Sequence, residues 1–233
     1  MNTSIYESAK SEKGFTLVEL AVVMVIIGLL VGGVLKGQEM IANAQVTSTV
    51  AQVKAIDAAA STFRDIFDAF PGDMANAGAR LPNCTAAPCA TGAASATVGN
   101  TRLEALPTGA NDGESQAFFP HLAAADLLTG VNGNNLMDAS INGNELRPGF
   151  SNGAALGLLN TPRAGHYLAV VQTSSTNVTG MKPVDAARMD RKMDDGVATT
   201  GAAGGLGDDC EGTDGYDEAG QGTVCGFVVR FQG

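Results

Sequence analysis

Gly14-Phe15-Thr16-Leu17-Val18-Glu19-Leu20 opens an apolar segment in which Ala21 to Leu35 runs fifteen residues without one polar side chain. Phe15 to Leu35 is 21 residues, about 31 Å of α-helix at 1.5 Å per residue, which matches the hydrocarbon core of a bilayer. Residues 1–14 are polar, with Lys10 and Lys13 just before Gly14, and read as a short cytoplasmic leader ahead of a membrane segment. A secretory signal peptide places its small-residue cleavage site after the apolar run, and Val34-Leu35-Lys36-Gly37-Gln38 is a poor one. Here the small residue comes first. A cut after Gly14 would discard the leader, keep the helix as an anchor, and leave a new α-amino group on Phe15.

Glu19 is the one charged residue between Phe15 and Leu35. A carboxylate at membrane depth costs about 2.5 to 3.5 kcal/mol on insertion scales unless it lies near an end or is paired. The α-amino group of a cleaved Phe15 on another subunit supplies a partner, and pairing in a low-dielectric interior would compensate both charges and set the register between subunits. The alternative is a plain anchor whose Glu19 snorkels to the interface.

Gly14 before an apolar residue, Glu19 four residues after Phe15, and the apolar helix behind them resemble the signal of type IV prepilins and type II secretion pseudopilins, closely over residues 10–35. The resemblance implies cleavage between Gly14 and Phe15 by a prepilin peptidase and N-methylation of Phe15. It also implies insertion of the precursor in the bacterial inner membrane and self-association into a helical filament on an inner-membrane assembly platform. Lys36 stands where many members of that family carry a proline, so a proline-induced melt of the helix is unsupported here. Gly28 and Gly32, and Gly33 and Gly37, are four apart and give two small-residue faces for close helix packing. Glycine also lowers helix propensity by about 1 kcal/mol per site relative to alanine, so the same cluster could bend or locally melt.

Beyond Lys36 the pattern becomes amphipathic. Val46, Val50, Val53, Ile56, Ala60, Phe63 and Phe67 recur at helical spacing, with Gln45, Thr49, Gln52 and Asp57 expected on other faces. Pro71-Gly72 is the first strong stop, so one helix is expected from Phe15 to Phe70. A heptad coiled coil is the competing reading of this spacing. The predicted organisation is a leader at 1–14, a transmembrane and assembly half-helix at 15–37, an amphipathic half-helix at 38–70 and a loop-rich head at 71–233.

In the head, residues 71–107 and 130–153 read as loop, and Glu114 to Leu128 and Val184 to Met193 as helices. His166 to Gln172 and Val224 to Phe231 read as strands. Residues 201–207 are glycine-rich without a strand before them. The class is α+β, and the family resemblance implies an antiparallel sheet laid on the second half of the helix. Pro71-Gly72-Asp73-Met74 and Asp190-Arg191-Lys192-Met193-Asp194-Asp195-Gly196 resemble segments of larger prepilin-type proteins.

The formal charge of −10 repels duplex nucleic acid, so no nucleic-acid partner is predicted. Four cysteines without C-x-x-C spacing, and no nearby histidine in sequence, disfavour zinc. Export would place them in an oxidising compartment, and of three connectivities the local one is expected, Cys84 with Cys89 and Cys210 with Cys225. No cofactor is required, but Asp209, Glu211, Asp214 and Asp217 are candidate ligands of a structural calcium, against the alternative of a solvated acidic loop. No G-x-S-x-G, H-E-x-x-H or Walker A sequence is present, and His121 and His166 read as structural or surface residues, so an enzyme is not expected. Three functions remain: a pilus subunit, a type II secretion pseudopilin, and a membrane-anchored periplasmic enzyme or binding protein. The mature chain of 219 residues (233 less 14) is large for a major pilin, while the long loops suit an exposed surface and favour the pilus slightly.

Overall fold

The structure is a computed structural model that describes residues 14–90, 99–109, 113–141, 143–153, 156, 163–172, 180–207, 210–212 and 215–231. Its helices are α1 (Leu17–Phe67), α2 (Ala77–Arg80), α3 (Gly113–Ala124) and α4 (Pro183–Met193). Its strands are β1 (Met137–Asp138), β2 (Asn144–Ser151), β3 (Gly165–Gln172), β4 (Ala203–Leu206), β5 (Glu211–Gly212), β6 (Gly215–Tyr216) and β7 (Gly226–Arg230). The class is α+β: a long N-terminal helix with an antiparallel sheet of order β1-β2-β3-β7-β4, beside the small β5-β6 ribbon.

The chain divides into two units, one ending at Ile41 and one starting at Ala42. In the first, the large apolar side chains from Phe15 to Leu35 are all exposed, Phe15 and Leu17 by 84% and 86%. This part of α1 is long and apolar enough to cross a membrane.

In the second unit, α1 buries Val46, Val50, Val53, Ile56, Ala60 and Phe63 in one cluster with Leu146, Leu168, Val170 and Phe227 of the sheet. The expected helix face therefore docks on a domain. Thr49 belongs to this face as well, correcting its assignment to another one. It is fully buried, its hydroxyl donating to the Gln45 carbonyl (3.0 Å) and accepting the Ile141 N–H (3.1 Å). Gln52 likewise sits on the seam, accepting the Ser140 N–H and donating to the Asp138 carbonyl.

The helix stops three residues before the expected Phe70. Asp68 takes a left-handed conformation (φ 50°) while its N–H still bonds to the Arg64 carbonyl. The Arg80 guanidinium then takes up the Phe67 carbonyl, one of the acceptors that a helix end leaves unpaired.

The alternation of β3 builds two layers. Leu168 and Val170 face the α1 cluster, whereas Tyr167, Ala169 and Val171 pack with Leu156, Leu206 and Val228. β2 runs through a stretch expected to be loop. Its Pro148 lacks an N–H, and the N–H of Phe150, of the same parity, points away from β3 to the Ala105 carbonyl, so the missing donor falls on the outer side. Gly149 lets residues 105–107 lie against the strand, since a side chain there would meet the Pro107 nitrogen at 2.3 Å. β4 was hidden in the same way by Gly204 and Gly205, although it pairs along β7.

Cys84 is bonded to Cys89 and Cys210 to Cys225. Backbone hydrogen bonds exchanged between Met181 and Cys225 tie the approach to α4 to the start of β7. Closing the Cys210–Cys225 loop contributes about 3 kcal/mol in the loop-entropy model.

Phe63 is fully buried and packs its ring on Phe67 and His121. Phe63→Ala is expected to destabilise the head by about 3 to 5 kcal/mol, read as a lower thermal midpoint of the full chain in detergent. Phe15→Ala, on an exposed site, should leave that midpoint unchanged.

Candidate functional site

Helix α1 begins at Leu17 because Thr16 and Glu19 cap it. The Thr16 hydroxyl accepts the Glu19 N–H (3.2 Å), and the Glu19 carboxylate accepts the Thr16 N–H and hydroxyl (2.8 and 2.9 Å). This is a capping box, T-x-x-E, a sequence signal that the reading of Glu19 as an assembly charge passed over. Its consequence is positional. Gly14, Phe15 and Thr16 lie outside the helix and are exposed, so the Gly14–Phe15 peptide bond stands in accessible, non-helical chain directly before the first turn.

Gly28, Gly32, Gly33 and Gly37 all lie on the exposed part of α1. A methyl group added at any of them would meet nothing within 4 Å. The packing of this chain alone does not require glycine there.

In the head, the Pro71-Gly72-Asp73-Met74 segment is a junction. Gly72 has φ 92°, and a side chain there would meet the Glu114 carbonyl at 2.4 Å. Its N–H donates to His121 Nδ1 (2.9 Å), which fixes the tautomer in which Nε2 carries the proton toward the Cys89 carbonyl (3.1 Å). Burial pushes the His121 pKa down to about 4, so the ring is neutral near neutrality. Although Cys84, Cys89 and His121 converge, both sulfurs are spent in the disulfide and the imidazole in hydrogen bonds, so the cluster is no metal centre. Asp73 is buried and accepts the N–H groups of Gly99 and Thr101.

Glu114, at the start of α3, is fully buried and its carboxyl oxygens make no well-formed hydrogen bond. Burial first, then the negative charges of Asp73 and Glu104, push its pKa up to about 7, with the Glu104 backbone N–H acting the other way. His166, stacked on Phe70 at 3.7 Å, is pushed down to about 4 by burial and by Arg64 and Arg102.

The carboxylates of Asp190, Asp194 and Asp195 also converge, and each is occupied. Asp190 accepts the Tyr216 hydroxyl (2.8 Å) and the Gly196 N–H (3.3 Å), Asp194 the N–H groups of Ala202 and Ala203, and Asp195 the Val197 N–H and Thr200 hydroxyl. They fasten the end of α4 to β6 and to the turn before β4. Of the candidate calcium ligands, Glu211 and Asp217 are exposed, and Asp209 and Asp214 lie outside the described residues.

Residues 9–35 match the family model of the prokaryotic N-terminal methylation motif, the signal of prepilins and pseudopilins. No curated protein and no solved structure matches the chain. The motif supports a type IV pilin-like or pseudopilin-like precursor, anchored in a membrane through α1, and points to a structural role.

The buried Glu114 gives the head a pH dependence. Unfolded, the group ionises near 4.5; folded, it holds its proton to about 7. Between these values the folded state binds the extra proton, so the contribution of Glu114 to stability falls as pH rises across this window and is constant above it. Glu114→Gln should be close to neutral at about pH 4 and stabilising by on the order of 3 kcal/mol at about pH 8, followed by thermal denaturation against pH. A difference that does not grow with pH would contradict this account.

Proposed function

We propose that the chain is a structural subunit of a type IV pilus-like filament. The precursor inserts in the bacterial inner membrane, a prepilin peptidase cuts it after Gly14, and the new Phe15 terminus is N-methylated. The cut chain polymerises through α1 on an inner-membrane assembly platform. The observation that carries this reading is the apolar segment from Phe15 to Leu35, exposed on every side, whose one charge is Glu19. Such a surface is covered by lipid before assembly and by other copies of itself afterwards.

The parts take separate roles. The capping box ends the helix short of Phe15, which leaves the Gly14–Phe15 bond open to a peptidase. Cleavage creates the cation that Glu19 lacks. In the filament, the Phe15 amine of one subunit meets Glu19 of its neighbour, while Gly28, Gly32, Gly33 and Gly37 allow backbones to approach. The long loops of the head favour exposure on a surface pilus; the size of the mature chain also suits a larger pseudopilin of a type II secretion filament, which uses the same N-terminal chemistry. Filaments sheared from the cell surface and probed for this chain separate the two.

Glu19→Ala should leave the chain in the membrane fraction and still cleaved, and should lower its recovery in filaments at least about tenfold, given the cost of an unpaired buried charge on Phe15. Filament yield equal to that of the parent would overturn the assembly role.

A further inference from the structure

A cavity of about 390 Å³ in the head is lined by Arg163 and Tyr167 at the start of β3, Thr199, Thr200 and Ala202 before β4, and Arg230 at the end of β7. No carboxylate lines it among the described residues. Ion pairs among the described residues join Lys36 to Glu39, Arg147 to Glu145, Arg188 to Asp185 and Arg191 to Glu218. Arg163 and Arg230 have no ion pair among the described residues.

The remaining donors around the cavity are mostly spent. The Tyr167 hydroxyl donates to the Arg163 carbonyl (2.7 Å), the Thr200 hydroxyl to Asp195 (2.6 Å), and the Ala202 N–H to Asp194. The nearby acids Asp194 and Asp195 are thereby engaged with the turn. Arg230 is held in place by a bond from Nη2 to the Ala164 carbonyl (3.1 Å), yet its Nε is buried with no acceptor. Both guanidinium groups act on the Tyr167 hydroxyl: burial raises its pKa, and Arg230 and Arg163 pull it back. The lining therefore combines two guanidinium groups with donors tied to Asp194 and Asp195, and the Arg230 Nε–H is desolvated without a partner among the described residues.

We propose that this cavity binds an oxyanion, a phosphate, sulfate or carboxylate group, on Arg163 and Arg230 with the Thr199 hydroxyl as a further donor. Guanidinium groups match such ligands because their planar donor forks bond two oxygens at once. The cavity is larger than one tetrahedral anion, so the group can belong to a dissolved ion or to a larger molecule, including a carboxylate side chain of a second copy.

The test uses the full chain in detergent micelles, with thermal unfolding followed against added sodium phosphate and against sodium chloride at matched ionic strength. The midpoint should rise and saturate with phosphate beyond the chloride control. In Arg163→Gln and in Arg230→Gln the half-saturating concentration should increase at least about tenfold, the factor for one lost charge-assisted contact. Arg163 is exposed and its side chain has no hydrogen bond or ion pair among the described residues, so Arg163→Gln should keep the midpoint of the parent without phosphate and carries the test if Arg230→Gln folds poorly. If the source is a carboxylate on a second copy, sedimentation will show self-association that phosphate inhibits and both variants weaken. The proposal is overturned if phosphate acts no more than chloride and the variants associate like the parent, or if phosphate stabilises parent and variants alike. The phosphate arm is independent of filament assembly, so its failure leaves the proposed function standing.

Discussion

A single carboxylate in a helical segment, Leu17 to Leu35, that is otherwise apolar on every side constrains the rest of the molecule. Glu19 cannot be left alone in hydrocarbon without a cost of about 2.5 to 3.5 kcal/mol. The capping box lowers that cost locally by giving the carboxylate the Thr16 N–H and hydroxyl, but both donors are neutral and the charge remains. Full compensation needs a cation at the same depth, and α1 has none between Phe15 and Leu35. The proposed cut after Gly14 creates one, four residues away in sequence and available to another subunit. Cap, cut and pairing then depend on one another: Thr16 sets where the helix starts, the start leaves the bond before Phe15 open, and the new terminus answers Glu19.

The head serves the same helix from its other half. Its core is closed by the face of α1 from Val46 to Phe63, and the chain then turns through Pro71-Gly72-Asp73 into a set of buried polar contacts. Gly72 donates to His121, His121 reaches Cys89, and Asp73 gathers Gly99 and Thr101, so the first disulfide loop and the segment at 99–101 are anchored at the point where α1 ends. At the far end, the aspartates of α4 fasten the turn before β4, and the Cys210–Cys225 bond joins the ribbon region to β7. Buried polar groups of this kind fix loops that have too few apolar side chains to fix themselves.

Most of α1 was legible because periodicity is a strong signal over fifty residues: the apolar run and the face through Val46, Val53 and Phe63 needed no other information. Strands β3 and β7 were legible from short β-branched runs. β2 was not, because Glu145, Arg147, Pro148 and Gly149 are poor strand residues, and only the covering segment at 105–107 and the outward position of the Pro148 nitrogen make them acceptable. β4 was hidden by its two glycines. Thr49 illustrates a different limit: a hydroxyl on a buried helix face is paid for by a backbone N–H that arrives from Ile141, ninety-two residues away, which no local pattern announces. Of the N-terminal site, Gly14, Phe15 and Glu19 stood out as a motif, whereas the cap formed by Thr16 was readable from T-x-x-E and was eclipsed by the charge. The cavity at Arg163 and Arg230 joins residues 67 apart in sequence and had no signature.

The central claim is that Phe15 becomes the N-terminus of the working protein. Intact-mass and N-terminal peptide mass spectrometry of the chain, produced together with a prepilin peptidase, tests it directly. The account predicts loss of residues 1–14 and a methylated Phe15 amine on a chain that keeps its apolar helix. An uncut chain, or one cut after Leu35 so that the helix is lost, would contradict it.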